Sequence, residues 1–183
     1  MSFSPAVDRE SLHTRRITCQ GFLRQDGLWD IEGYLLDSKD HDFTTADKKV
    51  VTPGQALHYM GLRLTIDHEL NIVAAEVDMV ATPTSVCQDI RAAYDRLVGL
   101  RIGPGFSRKV KELLGGIGGC THLTELLGPL ATTAFQTLSH RFKHDREKAS
   151  GTSRPPLLDA CHAFRADGPL AAQLWPDAVT QKT

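Results

Sequence analysis

The chain has 183 residues, 41% of them hydrophobic and 23% charged, with a formal net charge of −1. This is enough chain for a sizeable core, in one domain with a tail, and so even a charge balance argues against a nucleic-acid-binding surface. No apolar run approaches membrane-spanning length, and the polar start from Met1 to Arg16 lacks the apolar centre of a signal peptide, so the expected location is the cytoplasm.

Residues 1–14 read as a flexible leader. Arg16 to Leu23 reads as a strand, Asp26-Gly27 as a hairpin turn and Leu28 to Leu36 as the partner strand. Asp30 and Glu32 share one face of that second strand, a face an antiparallel sheet can leave wet. The polar stretch from Asp37 to Gln55 ends in Thr52-Pro53-Gly54 and reads as a long loop. Leu57 to Ile66 and Ile72 to Ala81 form a second hairpin. Tight pairing sets Leu64 opposite Val73, Leu62 opposite Ala75 and Met60 opposite Val77, an apolar face. The same register puts His58 on the core side, opposite Met79.

Pro83-Thr84-Ser85 announces a helix, with Thr84 or Ser85 as N-cap and Val86, Ile90, Ala93, Leu97 and Val98 as its buried stripe. Cys87 lies in its first turn. Phe106 to Leu114 is a short amphipathic helix whose Arg108, Lys109 and Lys111 form a solvated face. The loop Gly115-Gly116-Ile117-Gly118-Gly119 then delivers Cys120 and His122 to a long helix. Leu123, Leu126, Leu127, Leu130, Ala134 and Leu138 give that helix its buried face, Thr121 its N-cap and Pro129 a kink that frees the Glu125 carbonyl. Residues 143–156 read as a linker, and 157–183 as a tail whose Leu170, Leu174 and Trp175 dock it on the body. The fold class is therefore α+β, with an antiparallel sheet of about four strands in two hairpins, three helices after it on one face, a domain spanning 15–142 and a docking tail.

Four cysteines, Cys19, Cys87, Cys120 and Cys161, are not expected to form disulfides in a reducing compartment, and no CxxC pair marks a zinc finger. A thiol at a helix N-terminus feels the positive end of the macrodipole, which favours thiolate. Cys120 and His122 are thus a candidate nucleophile and base. His58, Cys87, Cys120 and His122 are the candidate metal ligands, with Cys161 and His162 in reserve, and such a mixed donor set suits zinc or iron. Glu125 lies three residues after His122 and could orient it.

The segments Asp26-Gly27-Leu28-Trp29-Asp30-Ile31-Glu32-Gly33, Leu62-Arg63-Leu64-Thr65, Val98-Gly99-Leu100-Arg101-Ile102-Gly103-Pro104-Gly105, Gly119-Cys120-Thr121-His122-Leu123 and Leu158-Asp159-Ala160-Cys161-His162 resemble a proteobacterial family, domain of unknown function 2889. Its name implies no activity. From Ala56 to Leu138 the order of hairpin, cysteine at a helix start, helices and cysteine–histidine pair also resembles iron–sulfur scaffold proteins of the IscU and SufE type. That resemblance implies a site at His58, Cys87, Cys120 and His122, with Ala56 where the scaffolds carry their first cysteine.

Three functions follow from these readings. The first is a metal-binding or iron–sulfur-related protein. The second is a small enzyme acting on a small molecule through Cys120 and His122, with Asp30 and Glu32 available for acid–base work. The third is an interaction module with an apolar patch around Trp29 or Trp175. The expected partner is a small molecule or metal ion, with no nucleic acid and no membrane, and a homo-oligomer is left open.

Overall fold

The computed structural model describes residues 3–139, 155 and 157–179. The chain divides into two compact units, Met1–Ser139 and His140–Thr183. Apart from Pro155, the expected linker lies outside the described residues.

In the first unit β1 (His13–Leu23), β2 (Trp29–Lys39), β5 (Ala56–Ile66) and β6 (Ile72–Ala81) form one antiparallel sheet in the order β1-β2-β5-β6. The stretch read as one long loop contains a small hairpin, β3 (Phe43–Thr44) with β4 (Val50–Val51). The first turn forms where Asp26-Gly27 predicts it. Gly27 takes a φ of 86°, a region that favours glycine, and Asp26 Oδ1 accepts the Leu28 N–H at 3.2 Å.

The sheet is covered on one face. Along β2 the alternate residues Trp29, Ile31, Gly33 and Leu35 are buried, and Asp37 continues the same stripe. Leu62, Leu64, Met60 and His58 provide the matching stripe on β5. The β5–β6 register differs from the tight pairing by two residues, with Met60 opposite Met79, Leu62 opposite Val77 and Leu64 opposite Ala75. The reason is the turn. Asp67 Oδ1 accepts the N–H groups of Glu69 and Asn71, both at 2.9 Å, and holds a wider loop, with an irregularity between Thr65 and Ile66. A shift of two preserves parity, so His58 stays on the core side; Val73, expected on the apolar face, is instead 44% exposed at the end of the pair where the register is irregular.

After Pro83 comes a 3-10 helix, Ser85–Leu97, instead of an α-helix. It runs beside β6, where Gln88 Nε2 donates to the Met79 carbonyl at 3.3 Å and Arg91 Nη2 to the Val77 carbonyl at 2.9 Å. Three residues of 3-10 helix rise about 6 Å, close to the roughly 6.6 Å of two strand residues; an α-helix would rise only about 4.5 Å. The tighter winding thus matches the strand repeat and protects the sheet edge. It also breaks the expected stripe. Tyr94 and Leu97 are buried, whereas Val86 and Val98 are 69% and 48% exposed.

Helix α1 (Phe106–Leu114) buries Phe106, Val110 and Leu114, and its cations face solvent. Helix α2 (Thr121–Thr137) packs across β1, β2 and β5 through Leu123, Leu126, Leu127, Leu130 and Ala134. Its N-cap position is Cys120, one residue before Thr121. Arg15 of β1 meets Glu125, and a Cβ at Gly21 would overlap Thr137. From Arg15 to Gly21 the strand advances about 20 Å, and from Glu125 to Thr137 the helix advances about 18 Å. Helix and strand therefore run side by side in step, which sets the first turn of α2 over the Asp37 end of the sheet.

A buried tyrosine fixes that first turn. The Tyr94 hydroxyl accepts the Cys120 N–H at 3.1 Å and lies 3.0 Å from both the Cys120 carbonyl and Thr124 Oγ1. None of the described helices is long and apolar enough to cross a membrane. The second unit contains a 3-10 turn, His162–Phe164, then α3 (Pro169–Leu174) and α4 (Pro176–Val179). Leu158 and Ala171 are buried, Leu174 is exposed, and the Trp175 ring sits 5.5 Å from that of Phe164.

The Tyr94 clamp gives a stability prediction. Tyr94→Phe keeps the ring but removes the partner of the part-buried Cys120 N–H and of Thr124 Oγ1, so urea unfolding should show a loss of about 1–2 kcal/mol. A loss of no more than a few tenths would mean that water replaces the hydroxyl and that no clamp exists.

Candidate metal centre

Strand register assembles the site. Arg15 pairs with Asp37 across β1–β2, and Asp37 pairs with His58 across β2–β5, so the three stand in one row on the helix-covered face. A bulge between Asp37 and Ser38 ends the regular pairing beside them. The next row inward, Ile17, Leu35, Met60 and Met79, is apolar. From above, the first turn of α2 lowers His122 onto this row. Its ring stacks on His58 with centroids 3.8 Å apart and planes 28° from parallel.

Asp37 is the centre of the arrangement and is 1% exposed. Arg15 donates to both of its oxygens, Nε to Oδ1 and Nη2 to Oδ2, each at 2.8 Å. The same guanidinium reaches Glu125 of α2 through Nη1. His13 Nε2 lies 3.4 Å from Oδ1. On the other side His58 Nδ1 lies 3.2 Å and His122 Nε2 3.6 Å from Oδ2. The His58 nitrogen is buried and makes no hydrogen bond among the described residues.

The electrostatics follow from burial and from Arg15. Burial pushes the Asp37 carboxyl up, but the hydrogen bonds and charge of Arg15 outweigh it and hold the group below the usual carboxylate range. Burial, reinforced by the neighbouring His122, lowers His58 to about 4 against the pull of Asp37. His122 is also lowered, first by burial. At neutral pH the centre is a carboxylate facing two neutral imidazoles, the protonation state in which both bind metals. Asp37, His58 and His122 form a group that could hold a metal ion, each offering one ligand atom within 4.8 Å of the others.

The structure thus brings together two of the candidate ligands, His58 and His122, and adds Asp37. The cysteines stand apart from that group. Cys120 Sγ is 4.0 Å from His122 Nδ1, on the ring edge away from Asp37, and Cys87 Sγ faces Thr84 Oγ1 at 3.4 Å. Cys161 and His162 belong to the second unit, where Cys161 is exposed and His162 Nε2 sits 3.2 Å from Arg165 Nη1. Glu125 meets Arg15 and so orients the opposite side of the centre from the one expected. Asp30 and Glu32 lie on the open sheet face, held by Thr65 Oγ1 at 2.7 Å and Arg63 Nε at 2.9 Å, so they take no part in this site. Trp29 is 7% exposed, a core residue and not a docking patch.

Asp37 was missed because the polar composition after Leu36 hides the end of a strand. The signal that finds it is parity: Trp29, Ile31 and Leu35 on one face place Asp37 on that face too.

The sequence matches, over residues 13–136, the family described as Protein of unknown function (DUF2889), and the chain belongs to that family. No curated protein and no solved structure matches it.

Stability should track the His58 shift. Its folded value lies below the ordinary 6.5, so the unfolded chain binds the proton more readily. Stability is then complete above about pH 6.5 and falls as pH drops towards 4, by about 2–3 kcal/mol for this group. Asp37, whose folded value is also depressed, adds loss in the same direction at lower pH. Urea unfolding of metal-free protein across this window should show the slope, and His58→Gln should reduce it, leaving the share of His122, whose folded value is also lowered. Equal slopes in the two proteins would mean that His58 takes up its proton as readily folded as unfolded.

Proposed function

We propose that this member of the family is a metal-binding protein whose centre is Asp37, His58 and His122. One geometric match carries the reading. Zinc bound at about 2.0–2.1 Å in a tetrahedron sets its ligand atoms about 3.4 Å apart. The two imidazole nitrogens lie 3.2 and 3.6 Å from the shared Asp37 oxygen, on either side of that edge. That His58 Nδ1 makes no hydrogen bond among the described residues is a second support, because a ligand atom waiting for an ion has no need of a hydrogen-bond donor. Binding by both rings requires their stacked planes to open, a rotation about the terminal torsion, which is broad in histidine.

The donor set narrows the ion. Two neutral imidazoles and one carboxylate favour zinc or ferrous iron over magnesium or calcium, which take oxygen ligands. Three protein ligands leave a position for water or a substrate atom, the form of catalytic sites. With Cys87 and Cys120 outside the ligand group, the centre suits a single ion better than a cluster.

A second reading has one distance in its favour. Cys120 Sγ, His122 and Asp37 form a chain of thiol, imidazole and carboxylate, with gaps of 4.0 and 3.6 Å. In metal-free protein this chain would make Cys120 a nucleophile with His122 as its base.

Binding of zinc or cobalt to tag-free protein separates the two. The metal reading expects one ion per chain, lost in His58→Ala and His122→Ala and retained in Cys120→Ser and Cys87→Ser. Loss in Cys120→Ser with retention in His58→Ala would overturn it.

A further inference from the structure

The metal reading leaves Arg15 unexplained. A permanent cation sits 2.8 Å from both oxygens of the carboxylate that would receive a dication. Like charges that close oppose each other, and more strongly away from water. Yet without a metal the buried Asp37 needs a counter-ion, because an unpaired buried carboxylate is costly, and Arg15 is the cation that bonds both of its oxygens.

Resting on that reading, we propose that Arg15 is the resident cation of the metal-free centre and that a metal ion loads by exchange with it at Asp37. Three observations support the exchange. Arg15 comes from the edge strand β1 and its side chain is 32% exposed, so it can withdraw towards solvent, whereas Asp37 is fixed in the interior. Its guanidinium already holds a second carboxylate, Glu125, which is 47% exposed and stands outside the ligand group. Glu125 can therefore keep Arg15 after Asp37 turns to the ion. His58 approaches Asp37 from β5, the strand opposite the one that carries Arg15, and Oδ2, which accepts from Arg15 Nη2, is also the oxygen that both imidazoles face, so an ion held there competes with Nη2 directly.

Arg15 is then a positioning residue in the metal-free state and a competitor during loading. The two roles have opposite signatures in one variant. In Arg15→Gln the metal-free protein should lose thermal stability, because Asp37 loses its counter-ion. Its zinc affinity, measured by competition with a chromophoric chelator, should rise about tenfold or more, and the stability gained on adding zinc should exceed that of the unaltered protein by the matching amount. Glu125→Gln, which replaces no ligand and neither member of the Arg15–Asp37 pair, should weaken zinc binding severalfold, because the displaced guanidinium loses its charged acceptor. A tenfold weakening in Arg15→Gln would overturn the proposal by showing that Arg15 only orients Asp37, a loss typical of residues that support a ligand. Equal affinities in all three proteins would overturn it as well. If none of the proteins binds zinc, the metal reading itself falls, a distinct result from altered affinity. Should Arg15→Gln fail to fold, Arg15→Lys keeps the charge while losing the two-pronged contact, and should bind zinc more tightly by a smaller factor.

Discussion

The ion pair between Asp37 and Arg15 is the constraint on which the rest depends. A carboxylate 1% exposed at the end of an apolar strand face requires a cation that reaches both of its oxygens. The edge strand supplies it. β1 adds no buried apolar side chain to the core, nearly all of its residues being exposed. It nevertheless pairs with β2 along its full length, and that register puts Arg15 directly opposite Asp37. Through Glu125 the same guanidinium ties the sheet to α2. Three elements therefore have to agree before the buried charge is satisfied, and once they do, His58 and His122 are brought onto its other side.

Matched repeats make that agreement possible. α2 and β1 advance by nearly the same length between their two points of close approach, so the helix start cannot drift from the Asp37 row without disturbing Gly21 and Thr137 at the other end. The 3-10 helix keeps step with β6 and carries Tyr94 to the Cys120 backbone. In this way a residue outside the centre sets where α2 begins. Gly33 plays a supporting part mid-sheet, where a Cβ would press on Leu130 at 3.0 Å and on Cys19 at 3.3 Å and lift the helix from the strands.

Much of this was legible in the sequence. The two hairpins, the switch to helices near Pro83 and the buried face of α2 follow from periodicity and turn residues, and each depends on local pattern. His58 was readable as a core-side histidine because a two-residue register error leaves parity intact. His122 was readable from its place beside the glycine loop. Three things were not legible. Asp37 sits where polar composition imitates a loop, so although parity along β2 gives its face, its pairing with the distant Arg15 and His58 is not encoded locally. The 3-10 winding depends on the carbonyl spacing of β6, which no local propensity encodes. The exclusion of Cys87 and Cys120 from the ligand group depends on side-chain direction: one thiol turns to Thr84, the other to the far edge of the His122 ring. Helix N-termini place a thiol near a site, but they do not aim it.

The central claim is that Asp37, His58 and His122 bind one ion. It is tested most directly by the anomalous diffraction of crystals grown with zinc, recorded on both sides of the zinc absorption edge. The account predicts one peak about 2.0–2.2 Å from Asp37 Oδ2, His58 Nδ1 and His122 Nε2, with the two rings no longer stacked and Arg15 directed to Glu125. A peak bonded to Cys120 Sγ, or none while Arg15 still holds both Asp37 oxygens, would contradict it.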